Sequence, residues 1–317
     1  MTQIAASFPP AEAVEVPVDS IAHRAMRSGR VLIGGGILAV VLLMCLVTMV
    51  FTLNPDSRLY YNLQNPEMVR QGPSGQVQGW FGYDMLGRSL LARSLLGGSI
   101  SLLIGVAAAG ISVVLGVTVG LLAGYLGGWV DSALMRLVDI LYGLPYILLV
   151  ILFKIAFEPM LAGFMSAAAA NLVVLFSAIG LVSWLTMARV VRGQVLSLRN
   201  QPFIEAARAI GLPRTRIFMR HVLPNLVGPV IVYATLIVPQ AILQESFLSF
   251  LGVGINPPMP TWGSLASDAV GSLSPVHIYW WLLLFPCILL VVTLLSLNFL
   301  GDGLRDLFDP KRDAAKI

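Results

Sequence analysis

The chain has 317 residues, of which 57% are hydrophobic and only 11% are charged. Soluble domains carry about 25% charged residues, so this composition excludes an ordinary water-soluble protein. The formal net charge of +4 is small, and the distribution of the charges along the chain is more informative than their sum. We therefore expect a protein whose surface is covered largely by lipid.

Six apolar segments are long enough to cross a membrane, which takes about 20 residues. They predict an all-α polytopic protein with six transmembrane helices. In chain order the segments are Val31–Leu53, Ser99–Tyr125, Val138–Phe157, Asn171–Val191, Leu226–Glu245 and Tyr279–Leu300. The third is the least regular, because Lys154 lies near its end. Residues 1–22 are expected to be a disordered tail, and the acidic residues within 1–23 argue against a signal peptide.

Lysines and arginines concentrate on one side of the predicted spans. Seven arginines fall between Arg189 and Arg220, whereas the segment from Ser246 to Ile278 has no lysine or arginine. The positive-inside rule then places both termini in the cytoplasm. The predicted segments are a cytoplasmic tail at 1–30, a span at 31–53, an extracytoplasmic loop at 54–98, a five-span core at 99–300 and a cytoplasmic tail at 301–317.

Three local features fit this layout. The aromatic run Tyr279–Trp281 starts the sixth span at the outer interface, where amphipathic rings prefer to lie. Lys154 is expected to extend to the interface, with a place in a substrate path as the alternative. Small residues recur every four positions in the second span and predict close packing on a neighbouring helix. These are Ala108, Ser112, Gly116, Gly120, Gly124 and Gly128.

The large cytoplasmic loop, 192–224, is longer than a simple connection needs to be. Pro202 is suited to open a short helix, Gly211 followed by Pro213 to close it, and Pro213 to open a second helix up to Leu223. Phe203, Ala207 and Ile210 are expected to share one face of the first helix. The basic loop either contacts anionic headgroups or is a docking element for a cytoplasmic protein. For docking, the low profile of Ala206, Ala207 and Ala209 would suit a groove.

Within this loop, EAARAIG followed by nine residues and HVLP resembles the EAA loop of the membrane subunits of ABC-type importers. His221 stands at a usually apolar position, as in the peptide-transporter branch. The resemblance implies that this loop couples the chain to a cytoplasmic ATPase. The residues implied in coupling are Glu205, Ala206, Ala207, Gly211, Pro213, Leu223 and Pro224. Glu205 is expected to pair either with a cation of the ATPase or with Arg208 one turn on.

Further segments resemble the second, C-type permease of oligopeptide and dipeptide importers, and the resemblance covers about residues 24 to 312. In the first of them Tyr83 and Ser89 replace the usual Thr and Asp. The segments are FGYDMLGRSLLARSLLGGSISL at Phe81–Leu102, GYLGGWVDSALMRLVDILYGLPYILLVI at Gly124–Ile151, ESFLSFLGVGINPPMPTWGSL at Glu245–Leu265 and NFLGDGLRDLFDPK at Asn298–Lys311.

The resemblance implies a type I ABC importer permease fold in the bacterial inner membrane, with half of a peptide pore formed by this chain. The implied partners are a second permease subunit, two cytoplasmic ATPase subunits, an extracytoplasmic substrate-binding protein and membrane lipid, but no nucleic acid. ATP and Mg would be bound by the ATPases, whose closure would drive alternating access.

The sequence itself predicts no catalytic, nucleotide or metal site. A P-loop needs a Gly-Lys pair, and neither Lys154, Lys311 nor Lys316 follows a glycine. The two cysteines lie in apolar runs and the three histidines are far apart, so no cofactor is expected. A nickel or glutathione importer of the same family stays open as an alternative. A passive channel or secondary transporter is another class, although the span interiors hold few charges, and a non-transporting receptor scaffold is a third.

Overall fold

The computed structural model describes residues 21–272 and 277–308, so the predicted disordered tail lies almost wholly outside the described residues. The regular structure of the described residues is helical, with a long loop at 54–89 that contains no α-helix, and it holds no β-strand beyond a single isolated bridge. Its α-helices are α1 Ile21–Arg27, α2 Gly29–Leu53, α3 Leu90–Leu126, α4 Gly128–Tyr142, α5 Tyr146–Ala162, α6 Ala167–Arg199, α7 Pro202–Ala209, α8 Arg214–Ile217, α9 Leu223–Phe250, α10 Trp262–Gly271 and α11 Trp280–Phe308.

Five helical segments of the described chain are long and apolar enough to cross a membrane. They are α2, α3, α6, α11 and the continuous rod Arg214–Phe250, which contains α8 and α9. The third predicted span, Val138–Phe157, is not a single straight helix, because α4 and α5 meet at 91°; counted as one broken span, the pair brings the described spans to six. The break has a local cause. Pro145 supplies no backbone N–H and disfavours the helical conformation of Leu144, which precedes it.

The long helices extend past the predicted spans into the loop 192–224. α6 continues to Arg199, so the first eight residues of the predicted loop 192–224 are helical. The predicted second short helix does not end at Leu223 but runs into α9 through a π-helical turn, Phe218–Val222. Pro224 explains this turn, since its missing N–H interrupts the α-helical ladder and the Leu223 N–H bonds instead to the Phe218 carbonyl.

The centre of the fold is the close pair α3 and α6, and the small-residue stripe creates it. A Cβ added at Gly120 would lie 2.6 Å from the Ala188 carbonyl oxygen, and one at Gly116 would lie 2.5 Å from the Met187 Cβ. Gly124 packs on Val195 in the same way. The predicted close packing is therefore confirmed for these three glycines. It is wrong for Gly128, which lies past the end of α3 with open space around it.

The helices nearest the two ends of the described chain pack side by side. A Cβ at Gly34 of α2 would lie 2.7 Å from the Ser296 carbonyl oxygen of α11. Nearer the ends, Arg30 pairs with Asp306 at 3.0 Å. The beginning of α2 and the end of α11 therefore lie on the same side of the bundle.

Candidate coupling loop and outer cavity

The turn that ends α7 has the geometry expected at a helix C-terminus. Gly211 adopts a left-handed φ of +80°. Its N–H bonds to the Arg208 carbonyl at 3.0 Å, and the Leu212 N–H bonds to the Ala207 carbonyl at 3.1 Å. These two bonds form a Schellman motif, in which glycine avoids the strain that a Cβ would cause. Pro202, as expected, occupies the first turn of α7.

The two faces of α7 differ from the predicted arrangement. Ile204 and Ala207 are buried in one apolar cluster with Ile217 of α8 and Val222 of the π-helical turn. The prediction that Phe203, Ala207 and Ile210 share a face is therefore wrong for Ala207, which holds α7 against the bundle.

Several large apolar side chains of the loop are exposed, interspersed with the exposed Arg208, Arg214, Arg216 and Arg220. Phe203 is 44% exposed, Ile210 76% and Met219 64%, and Ala206 is also exposed. Glu205 lies on the exposed surface of the first turn, and within the described chain it makes no ion pair with Arg208 or any other cation. These apolar side chains and an available carboxylate form a surface that we call the docking face.

The other predicted coupling residues shape the path into the next span. Pro213 precedes α8 in an extended conformation that directs the chain into the rod. Leu223 is half-buried at the start of α9, and Pro224 is exposed beside it. All seven predicted coupling residues therefore belong to one short unit, and Leu223 and Pro224 lie at its junction with a span.

A hydrogen bond ties this unit to α3, and an apolar cluster ties it to α6, since Ile204 and Ala207 pack in one cluster with Val195. The Tyr125 hydroxyl donates to the Arg214 carbonyl at 2.6 Å, and its ring lies 4.7 Å from that of Phe218. Arg199 donates to the Gly124 carbonyl at 2.9 Å. A cavity of about 520 Å³ remains between these residues and α7. The loop is thus held at both ends by long helices, which suits an element that transmits movement.

An ion-pair cluster in the first family-like segment lies at the opposite end of the bundle. Asp84 pairs with Arg88 at 2.7 Å and also with Arg93, and all three side chains are buried. Its Oδ1 accepts hydrogen bonds from the Leu86 and Arg88 backbone N–H groups, each at 2.9 Å. Burial by itself favours the neutral acid. The charges of Arg93 and Arg88 and these N–H donors nevertheless lower the pKa of Asp84 below its usual value.

Tyr83 and Ser89, the two residues that depart from the family pattern, both make structural contacts in this segment. Ser89 accepts the Ala92 N–H as the N-cap of α3, and its hydroxyl donates to the Gln78 carbonyl at 2.6 Å. Tyr83 forms the isolated bridge with Ser89.

The ion-pair cluster of Asp84, Arg88 and Arg93 borders a cavity of about 610 Å³, which is lined on its other side by residues 252–259 and by α10.

The Lys154 side chain is largely buried and is bound by protein groups, and its extension to the membrane interface stays a prediction. Its ammonium group donates to the carbonyls of Val253 at 2.9 Å and Gly254 at 2.7 Å. Glu158, which lies 3.8 Å from it, accepts hydrogen bonds from Asn171 and Asn256. Burying an ammonium group is unfavourable unless its donors are hydrogen-bonded, and these carbonyls accept from two of them. Lys154 therefore fastens the loop after α9 to α5.

The aromatic residues at the start of α11 have two different environments. Trp280 is half-exposed, as expected of an interfacial ring. Trp281 is buried and covers Gly82, and its indole N–H donates to the Tyr83 carbonyl at 3.4 Å. Trp281 therefore packs the outer loop against the bundle, a contact across 198 residues that no local pattern predicts.

The family model described as a binding-protein-dependent transport system inner membrane component matches residues 116–314, which include the whole coupling loop. The chain belongs to this family. A relative within it is the oligopeptide transport system permease protein OppC of Escherichia coli K12, 48% identical over 257 residues, or 80% of each chain. The dipeptide transport system permease protein DppC of Bacillus subtilis is 39% identical over 79% of this chain and 74% of its own.

Other relatives carry different names. The glutathione transport system permease protein GsiD of Escherichia coli O6 is 38% identical over 81% of this chain and 78% of its own. Among solved structures, the inward-facing MetNI methionine ABC transporter aligns with a TM-score of 0.54 at 20% identity, over 69% of this chain and 97% of that one. This likeness concerns the fold alone, and it confirms the predicted all-α importer permease fold.

Proposed function

We propose that the chain is a membrane-spanning subunit of an ATP-driven importer and forms half of a translocation pore for short peptides. The observation that carries the proposal is the 48% identity to the oligopeptide permease over 80% of both chains. The dipeptide permease supports the same cargo class at 39% identity. Matches of this length align the outer segments as well as the coupling loop.

The coupling loop, in this proposal, receives the movement of a cytoplasmic ATPase. The docking face supports a protein partner, because two of its large apolar side chains, Phe203 and Ile210, stand exposed on α7 and its C-terminal cap, outside the long apolar spans. Its attachment to α3 and α6 supports transmission of a push into the membrane. Movement of the rod Arg214–Phe250 would then alternate access to the pore.

The assembly proposed around the chain has four further kinds of component. A second permease subunit completes the pore, two cytoplasmic ATPase subunits bind and hydrolyse ATP with Mg, and an extracytoplasmic binding protein delivers the peptide. Bacterial inner-membrane lipid surrounds the spans. The chain itself is proposed to hold no catalytic residue.

Peptide uptake tests the proposal in cells. Deleting the gene is expected to abolish growth of an auxotroph whose required amino acid is supplied only as a short peptide, and a plasmid copy should restore it. Growth on the free amino acid is the control. If the deletion spares peptide uptake but removes glutathione or nickel uptake, the cargo assignment moves to those relatives.

Both termini are proposed to face the cytoplasm, a layout supported by the basic residues of the coupling loop and by the Arg30–Asp306 pair. In a background lacking Cys45 and Cys287, Pro258→Cys should react with a membrane-impermeant maleimide in intact cells. Thr215→Cys should react only after permeabilisation. Both side chains are exposed in the structure, so a labelling difference reports sidedness. External labelling of Thr215→Cys would contradict the topology.

A further inference from the structure

A cavity of about 320 Å³ opens between α6, α9 and the junction of α4 with α5. Ser183 and Thr186 of α6 and Gln240 and Gln244 of α9 give it a polar wall. Gln240 and Gln244 lie ten and six residues before the end of α9, or about 15 and 9 Å along the helix. The wall therefore lies at the depth of the membrane and not at its surface.

The opposite side of this cavity is formed by the 91° break between α4 and α5. Leu144, at the break, donates its N–H to the Leu141 carbonyl at 3.3 Å in a tightened turn, and Pro145 has no N–H to continue the ladder. Irregular backbone at membrane depth is tolerated where it lines a polar or water-filled space. The break and the polar wall thus face the same cavity, because free backbone groups and polar side chains both need hydrogen-bonding partners that lipid does not supply.

The polar groups of the wall have unused hydrogen-bonding capacity. Gln240 and Thr186 are exposed, and neither makes a side-chain hydrogen bond within the described residues, whereas the Gln244 Oε1 is buried and unpaired there and would need a rotation of its amide to reach the cavity. Ser183 bonds only within its own helix, to the Ile179 carbonyl at 2.9 Å. Amides inside a membrane face protein or a water-filled cavity, because exposure to lipid leaves them unsatisfied. A ligand or water that passes through the cavity would supply the missing partners.

The chemistry of the wall selects the class of ligand. The described residues that line the cavity include no Asp, Glu, Lys or Arg, so the wall does not select for the charge of a side chain. Each glutamine amide both donates and accepts, and Ser183 and Thr186 can do the same. A peptide main chain presents one N–H and one C=O at nearly every residue, whatever its side chains are.

We propose that Ser183, Thr186, Gln240 and Gln244 form an uncharged hydrogen-bonding wall of the translocation path that contacts the main-chain amides of the passing peptide. This rests on the proposed peptide-import function and adds the residues of this chain that touch the cargo. The wall binds peptides of different sequence alike, because it recognises the part that they share.

The test uses the complete importer in proteoliposomes with its binding protein and a labelled tripeptide. The double variant Gln240→Leu, Gln244→Leu keeps the side-chain size and removes both amides, and we expect tripeptide uptake to fall about 10-fold. The matched variant Gln240→Asn, Gln244→Asn keeps both amides and should retain most of the uptake. Co-purification of the second permease should be equal for all three complexes.

A second readout separates contact with the cargo from a structural role. A tripeptide methylated on its backbone nitrogens should be taken up more slowly than the parent peptide by the wild-type complex. In the leucine pair, the ratio of parent-peptide uptake to methylated-peptide uptake should shrink towards one, because the amides that distinguish the two peptides are gone. The binding protein is the same in both complexes, so its own preference does not change the comparison. A purely structural defect would slow both peptides equally and leave the ratio unchanged.

Three results would overturn the inference. Wild-type uptake in the leucine pair, or an unchanged ratio between the two peptides, would remove the wall from the path. Loss of the second permease from the leucine pair would assign these residues to the subunit interface. The failure of the proposed function looks different, because the wild-type complex itself would then take up no peptide, and the inference would fall with it.

Discussion

Gly211→Val is expected to leave the importer assembled but to lower peptide uptake at least 10-fold while ATP hydrolysis continues. The φ of +80° is the reason, because a β-branched residue there costs about 1 kcal/mol or more of backbone strain. A Cβ would meet no atom within 4 Å, so the effect comes from the backbone and not from a clash. We expect the chain to relieve the strain by rotating α8 relative to α7. Movement of the ATPase is then no longer transmitted correctly to α9.

Gly193→Val is the matched control for this substitution. Gly193 lies in α6 close to the loop, also has open space around its Cα, and has no positive φ. The control should keep most of the uptake and the wild-type ratio of uptake to hydrolysis. Uptake and peptide-stimulated hydrolysis are measured in reconstituted complexes at matched subunit levels. Wild-type values of both in Gly211→Val would refute the coupling role of the loop.

Asp84→Ala is expected to destabilise the outer segment by about 3 kcal/mol or more at neutral pH. The substitution removes the carboxylate that Arg88 and Arg93 share. Arg93 keeps only the Asp268 carboxylate, 3.8 Å away, and Arg88 has no other acidic partner among the described residues, so a buried charge is left unpaired, which is strongly unfavourable. The apparent Tm of the detergent-solubilised complex should fall clearly. Asp56→Ala in the same loop is the control, since Asp56 is exposed, and it should leave the Tm unchanged.

The pH dependence of the Tm tests whether the Asp84 charge is responsible. Because the folded pKa of Asp84 is lowered, its stabilisation is complete above the unfolded pKa of about 4 and is lost as the pH falls through the folded value. The Tm difference between wild type and Asp84→Ala should therefore be constant from pH 8 to pH 6 and shrink below pH 4. A difference that stays constant at low pH would show that packing, and not charge, stabilises the segment.

The local devices of the fold were predictable from the sequence because each depends on one residue and its neighbours. Pro202 opens α7, Gly211 closes it, and the small residues every four positions bring α3 against α6. Apolar length also predicted the long helices. In each case the residues responsible lie within a few turns of one another in the sequence, so a local sequence pattern is enough to predict the feature.

Unpredicted features arise where local signals were outweighed or where distant residues meet. The apolar run over Val138–Phe157 hid the break, although Gly143 and Pro145 were visible signs of it. Lys154 found carbonyl partners about 100 residues away, and Ala207 was turned inward by a cluster that includes Leu226 of the next span. The polar wall combines two helices more than 50 residues apart in sequence, so its four members do not form a recognisable local motif.

The central claim is that this chain is one half of an ATP-driven peptide pore. The most direct test is uptake of a labelled tripeptide into proteoliposomes that contain the second permease and the ATPases, with and without this chain, with the binding protein outside. We expect uptake that needs both ATP and the binding protein and that falls to background when the chain is omitted. Equal uptake without the chain, or ATP-independent flux through the chain alone, would contradict the claim.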